Sequence, residues 1–202
     1  MKKLFFLLSV FSLTQTNAQQ NLVLNPSFED TSGVMNCNYY GGQIIPAVNW
    51  SGGNVGSTDF YSSTLPISCI MHPLNPTSAF QQPRTGNNYM GFASGLGGGV
   101  ANNNREYVRG TLSQPLVVGT IYNIEFYVCL ANLARTGMNN IGLAFINNTD
   151  PIFPIHTQIP LVPDVNYSGP PIIDRDNWTL LSFQYTATTP NLDAFIIGNF
   201  FS

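Results

Sequence analysis

Apolar residues in this chain come in short runs with a period of two, and clusters of Gly, Pro, Asn and Ser cut the runs apart. Side chains two apart share one face of a strand, so this pattern belongs to half-buried strands. No segment holds an apolar stripe at helical spacing over several turns. Strands are predicted over residues 21–24, 43–45, 58–61, 88–93, 105–112, 120–130, 140–146, 178–187 and 193–200. Many short strands with turn punctuation indicate an all-β sandwich or barrel. Residues 95–104, rich in Gly and Asn, read as a flexible loop. The stretch 147–176 carries Pro151, Pro154, Pro160, Pro163, Pro170 and Pro171, and connections of that length are uncommon without a functional reason.

Alternation also assigns faces. In the strand at 120–130, Tyr122, Ile124, Phe126 and Val128 share the expected core side, and Glu125, Tyr127 and Cys129 take the other. In 105–112, Val108 and Leu112 point one way and Arg105, Tyr107 and Arg109 the opposite way. In 178–187, Leu181, Phe183 and Tyr185 are expected in the core, opposed by Ser182, Gln184 and Thr186. If the three strands share a sheet, its outer face displays Arg105, Tyr107, Arg109, Glu125, Tyr127 and Gln184. Rings beside charged and amide groups suit a sugar, whose apolar ring face stacks while its hydroxyls are hydrogen-bonded. The competing expectation is a solvated face of cross-strand pairs such as Arg with Glu.

Composition narrows the class. Lys2 and Lys3, the apolar run from Leu4 to Leu13 broken only by serines, and small residues at Thr16, Asn17 and Ala18 make residues 1–18 an export signal. The run is too short to span a bilayer. Residues 19–202 then form a single domain. Removal of Lys2 and Lys3 takes the formal charge from -3 to -5 and leaves no lysine. A chain with 8% charged residues and no basic patch is not built to neutralise nucleic-acid phosphates or to lie on an anionic membrane. Of the three cysteines, Cys37 and Cys69 lie in loop-like surroundings and are expected to pair in an oxidising compartment. Cys129 sits in a strand pattern and is expected free and largely buried.

Several segments in order carry a family likeness. They are NLVLNPSFE at 21–29, Asn49 and Trp50, TDFY at 58–61, QPRTG at 82–86, YMG at 89–91, REY at 105–107, LSQPL at 112–116, GTIY at 119–122, DNW at 176–178 and IIGNF at 196–200. This order resembles a galactose-binding-like jelly-roll module related to carbohydrate-binding modules. The type is found at the N-terminus of exported cell-surface proteins of gliding, type IX-secreting bacteria. The resemblance implies a jelly-roll β-sandwich secreted or held at the cell surface, with further domains downstream. It also implies a structural calcium, with Glu29 at the end of the first strand as one ligand. The family continues past the equivalent of Ser202 with another strand, which here would pair with 21–24. The sequence is therefore expected to be a piece of a longer polypeptide lacking its last strand, the alternative being a complete protein that borrows a strand from a partner.

The chemistry of an enzyme is not evident. Glu106 and Glu125 are expected on opposite faces, which argues against a glycosidase pair. His72 and His156 lie far apart in loops, with neither a His-Glu-x-x-His pattern nor a Cys-x-x-Cys pair beside them. No Gly-x-Ser-x-Gly elbow occurs. The expected function is non-catalytic recognition of a polysaccharide or cell-surface glycan, with Arg105, Tyr107, Tyr127 and Gln184 as ligand-binding residues. The tyrosines would stack, and the other two would hydrogen-bond. The alternative is a structural or protein-interaction domain of a larger surface protein without sugar affinity.

Overall fold

The structure is a computed structural model that describes residues 20–33, 35, 37, 46–76, 81–95 and 103–201. Residues 1–18, where an export signal is expected, the strand expected at 43–45 and most of the glycine loop lie outside the described residues. Within them the chain forms β1 (Trp50–Gly52), β2 (Asp59–Ser62), β3 (Asn88–Gly91), β4 (Val108–Thr111), β5 (Ile121–Val128), β6 (Ile141–Ile146), β7 (Val165–Tyr167), β8 (Thr179–Thr186) and β9 (Ala194–Asn199). All named pairings are antiparallel, and the molecule is an all-β sandwich. A five-stranded sheet runs in the order β1-β4-β9-β6-β7, β5 pairs with β8, and β2 pairs with β3. No helix among the described residues is long and apolar enough to cross a membrane.

Burial follows from the letters of each strand. β5 and β8 alternate strictly, so Tyr122, Ile124, Phe126, Leu181, Phe183 and Tyr185 turn inward while their neighbours face solvent. The inward set meets Leu143, Val165 and Phe195 of the larger sheet, with the Phe145 and Tyr185 rings stacked 5.0 Å apart. β6 and β9 are nearly continuous apolar runs, as strands covered on both faces must be. Their second face carries Ala144, Ile146, Ala194 and Ile196, and it is covered by Phe153, Ile155, Ile159 and Leu161. These four residues belong to the long proline-rich connection. That connection is therefore a third layer over the sheet, and it also contains β7.

This third layer corrects the expected outer face. β4 belongs to the five-stranded sheet, whereas β5 and β8 form the opposing layer, so the three strands do not share a sheet. Arg105, Tyr107 and Arg109 do oppose Val108, but they point under the 147–162 segment and are buried. Two further boundaries differ. The expected strand at 21–24 reduces to a single pairing of Val23 with Leu112, because the chain turns at Asn25, whose φ is 50°. There Asn25 Nδ2 donates to Asp30 O and Val48 O, and Asn25 O accepts from Phe28 N and Trp50 Nε1. The strand expected at 105–112 begins only at Val108. Upstream, Arg105 N donates to His156 O and Glu106 N to Ala93 O, so the chain is bonded to loops instead. The expected strands missed β1 and β7, which are three residues each and too short to show alternation.

Cys37 and Cys69 form the expected disulfide, with Cα atoms 4.7 Å apart. It closes onto the β2–β3 ribbon, where Cys69 packs with Tyr61, Met71 and Tyr89. Cys129 is free and partly buried. Burial first, and then the nearby Asp174, pushes its thiol up to about 12, so it is a poor nucleophile.

Candidate ligand-binding face

The four residues expected to bind ligand are divided between two environments. Tyr107 is 0% exposed. Its hydroxyl donates to Asn199 O at 2.6 Å and accepts from Ile159 N at 3.3 Å. Its ring lies against Gly198, where an added Cβ would come within 2.3 Å of Tyr107 Cδ1. Arg105 is also buried; its Nη1 donates to Asn199 O, Asn199 Oδ1 and Phe201 O, and its Nε to Asn103 Oδ1. Arg109 donates to the carbonyls of Asn147, Asn148 and Asp150. These three side chains are spent on joining β4 to the third layer and to the segment after β9. A buried guanidinium needs such acceptors, because leaving it unpaired is costly.

Tyr127 and Gln184 are exposed on the outward face of the β5–β8 pair. The register places Asn123 beside Gln184, Glu125 beside Ser182 and Tyr127 beside Leu180. Gln184 Nε2 donates to Asn123 Oδ1 at 3.2 Å, and Ser182 Oγ lies 3.4 Å from Glu125 Oε1. The last distance is long, so the Glu125 carboxylate keeps most of its acceptor capacity. From Asn123 to Tyr127 the strand advances about 13–14 Å at about 3.4 Å per residue. The face is thus a strip with amides at one end, a carboxylate at the centre and an apolar pair at the other end. Alternation puts Glu125 with Tyr127 and Ser182 with Gln184, and the β5–β8 pairing brings the two sets onto one face.

Arg84 is the member that sequence pattern does not reveal. Its Cζ stands 3.5 Å from the centroid of the Tyr127 ring. The ring face expected to stack on a sugar therefore already carries a guanidinium. Arg84 lies in the turn before β3, 43 residues from Tyr127, and no local spacing links them. The turn is anchored on both sides. Trp178 Nε1 donates to Gln82 O at 3.0 Å, and the Glu29 carboxylate accepts from Asn87 N at 2.8 Å and Asn88 N at 3.0 Å.

That role bears on calcium. Glu29 Oε1 takes both amides, Asn87 Nδ2 reaches Oε2 at 3.3 Å, and a Cβ on Gly86 would lie 2.4 Å from Oε1. The carboxylate is seated on the turn, with N–H groups directed at it. Calcium asks for six to eight oxygens. Among the described residues no group of three or more His, Cys, Asp or Glu side chains could hold a metal ion. The donor set at Glu29 fits a turn cap and does not fit a calcium cage.

Glu106 and Glu125 lie on different layers. The structure instead brings Glu106 to Asp59, a pairing across 47 residues that no pattern announces. Glu106 accepts from Ser57 N, Ser57 Oγ and Ala93 N, which ties the loop before β2 to the end of β3. Among the described residues the Asp59 carboxylate accepts one long hydrogen bond, from Tyr61 Oη at 3.3 Å. Burial, and then Glu106, pushes its carboxyl up to about 6. Two carboxyl groups set apart in this way can serve acid–base chemistry, but structural pairs do the same. With both oxygens of Glu106 committed to loop contacts, the pair works as a strap.

No protein-family model, no curated protein and no solved structure matches this chain.

Proposed function

We propose that the protein is an exported, non-catalytic recognition module that binds a glycan along the outward face of β5 and β8. The carrying observation is that strip: Asn123, Gln184, Ser182 and Glu125 offer hydrogen-bonding groups in line with the exposed Tyr127 and Leu180. A surface that is polar but scarcely charged exchanges hydrogen bonds with hydroxyls at little desolvation cost. The likeness to carbohydrate-binding jelly rolls supports the same reading, and the disulfide supports export. Arg105 and Tyr107 act in this proposal as the frame of β4, and contact with ligand falls to Tyr127 and Gln184.

The test is retention of the purified protein on immobilised polysaccharides, compared with a Tyr127→Ala/Gln184→Ala variant. Both positions are on the surface, so the variant should melt within a few degrees of the parent. Its binding should fall about tenfold or more, as for the loss of two surface contacts worth about 1 kcal/mol each. Undiminished binding by the folded variant would place the site elsewhere.

A second reading is favoured by the turn before β5. Val117, Val118 and Ile121 are all exposed and lie together at one end of the strip. Such a cluster suits contact with another protein and would serve a structural domain of a larger surface protein. Changing Val117 and Val118 to Ser should then leave glycan retention intact while abolishing association with that protein.

A further inference from the structure

Resting on the glycan reading, we infer that Arg84, seated on the Tyr127 ring, is a subsite for the carboxylate of an acidic sugar residue within an otherwise neutral chain. The guanidinium lies 3.5 Å above the ring centroid, where attraction to the ring holds it in place. Its turn is pinned by Glu29 below and by Trp178 at Gln82 O, so the group is positioned before ligand arrives. Arg105, Arg109 and Arg175 give guanidinium donors to protein acceptors, the last of them to Ala134 O. Arg84 is exposed and makes only the ring contact among the described residues. Its planar fork of N–H groups matches the two oxygens of a carboxylate.

The same face limits how many charges the ligand carries. Glu125 lies two residues from Tyr127 on the same side, about 7 Å along the strand. It repels a second carboxylate there and accepts from hydroxyls instead. Asn123 and Gln184 beyond it are neutral. The strip therefore reads one anionic sugar at the Arg84 end, followed by neutral sugars over Glu125 and the amide pair. A polymer with a carboxylate on every unit meets repulsion at the centre.

The experiment uses an array on which uronate-bearing polysaccharides are printed beside their carboxyl-reduced twins, with glucuronoxylan as the sparsely charged probe and polygalacturonate as the dense one. The purified protein should prefer glucuronoxylan to its reduced twin by about tenfold, consistent with one charge-assisted contact at a surface. It should also prefer glucuronoxylan to polygalacturonate. Arg84→Gln should erase the preference between twins. Glu29→Gln, which loosens the turn, should weaken the preference without removing the charge. Equal binding to both twins, or an unchanged preference in Arg84→Gln, overturns the inference and leaves glycan recognition standing. Absence of binding to every glycan by protein that melts cooperatively overturns glycan recognition, and this inference with it.

Discussion

Tyr107 behaves as a structural pivot at the residue scale because its hydroxyl has two backbone partners, the buried Ile159 N and the partly buried Asn199 O, and its ring rests on a glycine. Tyr107→Phe should cost about 1–3 kcal/mol, the range for leaving a buried backbone group unpaired, read as a lower urea midpoint with an unchanged slope. Asn199 O keeps its bond from Arg105 Nη1, so the group left unpaired is Ile159 N, and no loss would mean that water satisfies it. Asp59 makes a pH prediction of the less common sign. Its carboxyl is held up at about 6 in the fold, above a value near 3.8 in the unfolded chain. The native state thus binds this proton more tightly, so the contribution of Asp59 to stability grows as pH falls from about 7 to about 4 and is lost as pH rises through about 6. Asp59→Asn should stabilise the protein by about 1–3 kcal/mol at pH 7.5 and have little effect near pH 4. The decisive quantity is the variant-minus-parent difference at the two pH values. An identical difference at both would show that Asp59 titrates normally.

Strand β5 is set by its first turn. Gly119, at φ +84°, donates its N–H to Ala187 O at 2.8 Å, while Ala187 N donates to Thr120 O at 3.0 Å. Two residues on one strand oppose one on the other, which is a bulge that calls for a left-handed glycine. The bulge fixes the register in which Tyr122 meets Tyr185 and Tyr127 meets Leu180. Any shift by one residue would turn the outward strip into the core. Nothing lies within 4 Å of an added Cβ at this position, so Gly119→Ala tests the backbone alone. It should cost about 1–2 kcal/mol, and Gly119→Asn should cost less because Asn tolerates this region. Equal melting temperatures for all three proteins would show that the turn does not need this conformation.

The whole molecule joins a sandwich, a ribbon and a covering segment, and its links differ in kind. The Cys37–Cys69 bridge spans 32 residues and confers roughly 3–4 kcal/mol by restricting the unfolded chain. Reduction should lower the melting temperature, whereas Cys129→Ser should leave the bridge formed. A melt insensitive to reductant would show that the ribbon is held by Tyr61, Tyr89 and Trp178 packing instead. The sequence by itself determined the all-β class, because period-two alternation and turn residues are local properties of the letters. It also determined the inward sides of β5 and β8 and the pairing of the two loop cysteines. Tertiary structure alone decided what lies over the far side of β4. A strand's pattern shows which residues share a face, but not whether another segment covers it. Hence Tyr107 and Arg105 match the surface tyrosine and glutamine in alternation and still end up buried under residues 147–162. Only the fold could place Arg84 on Tyr127, Glu29 under the arginine turn and Asp59 beside Glu106. Those partners are tens of residues apart, and their contacts arise from how separate elements stack, which no periodicity in the chain encodes.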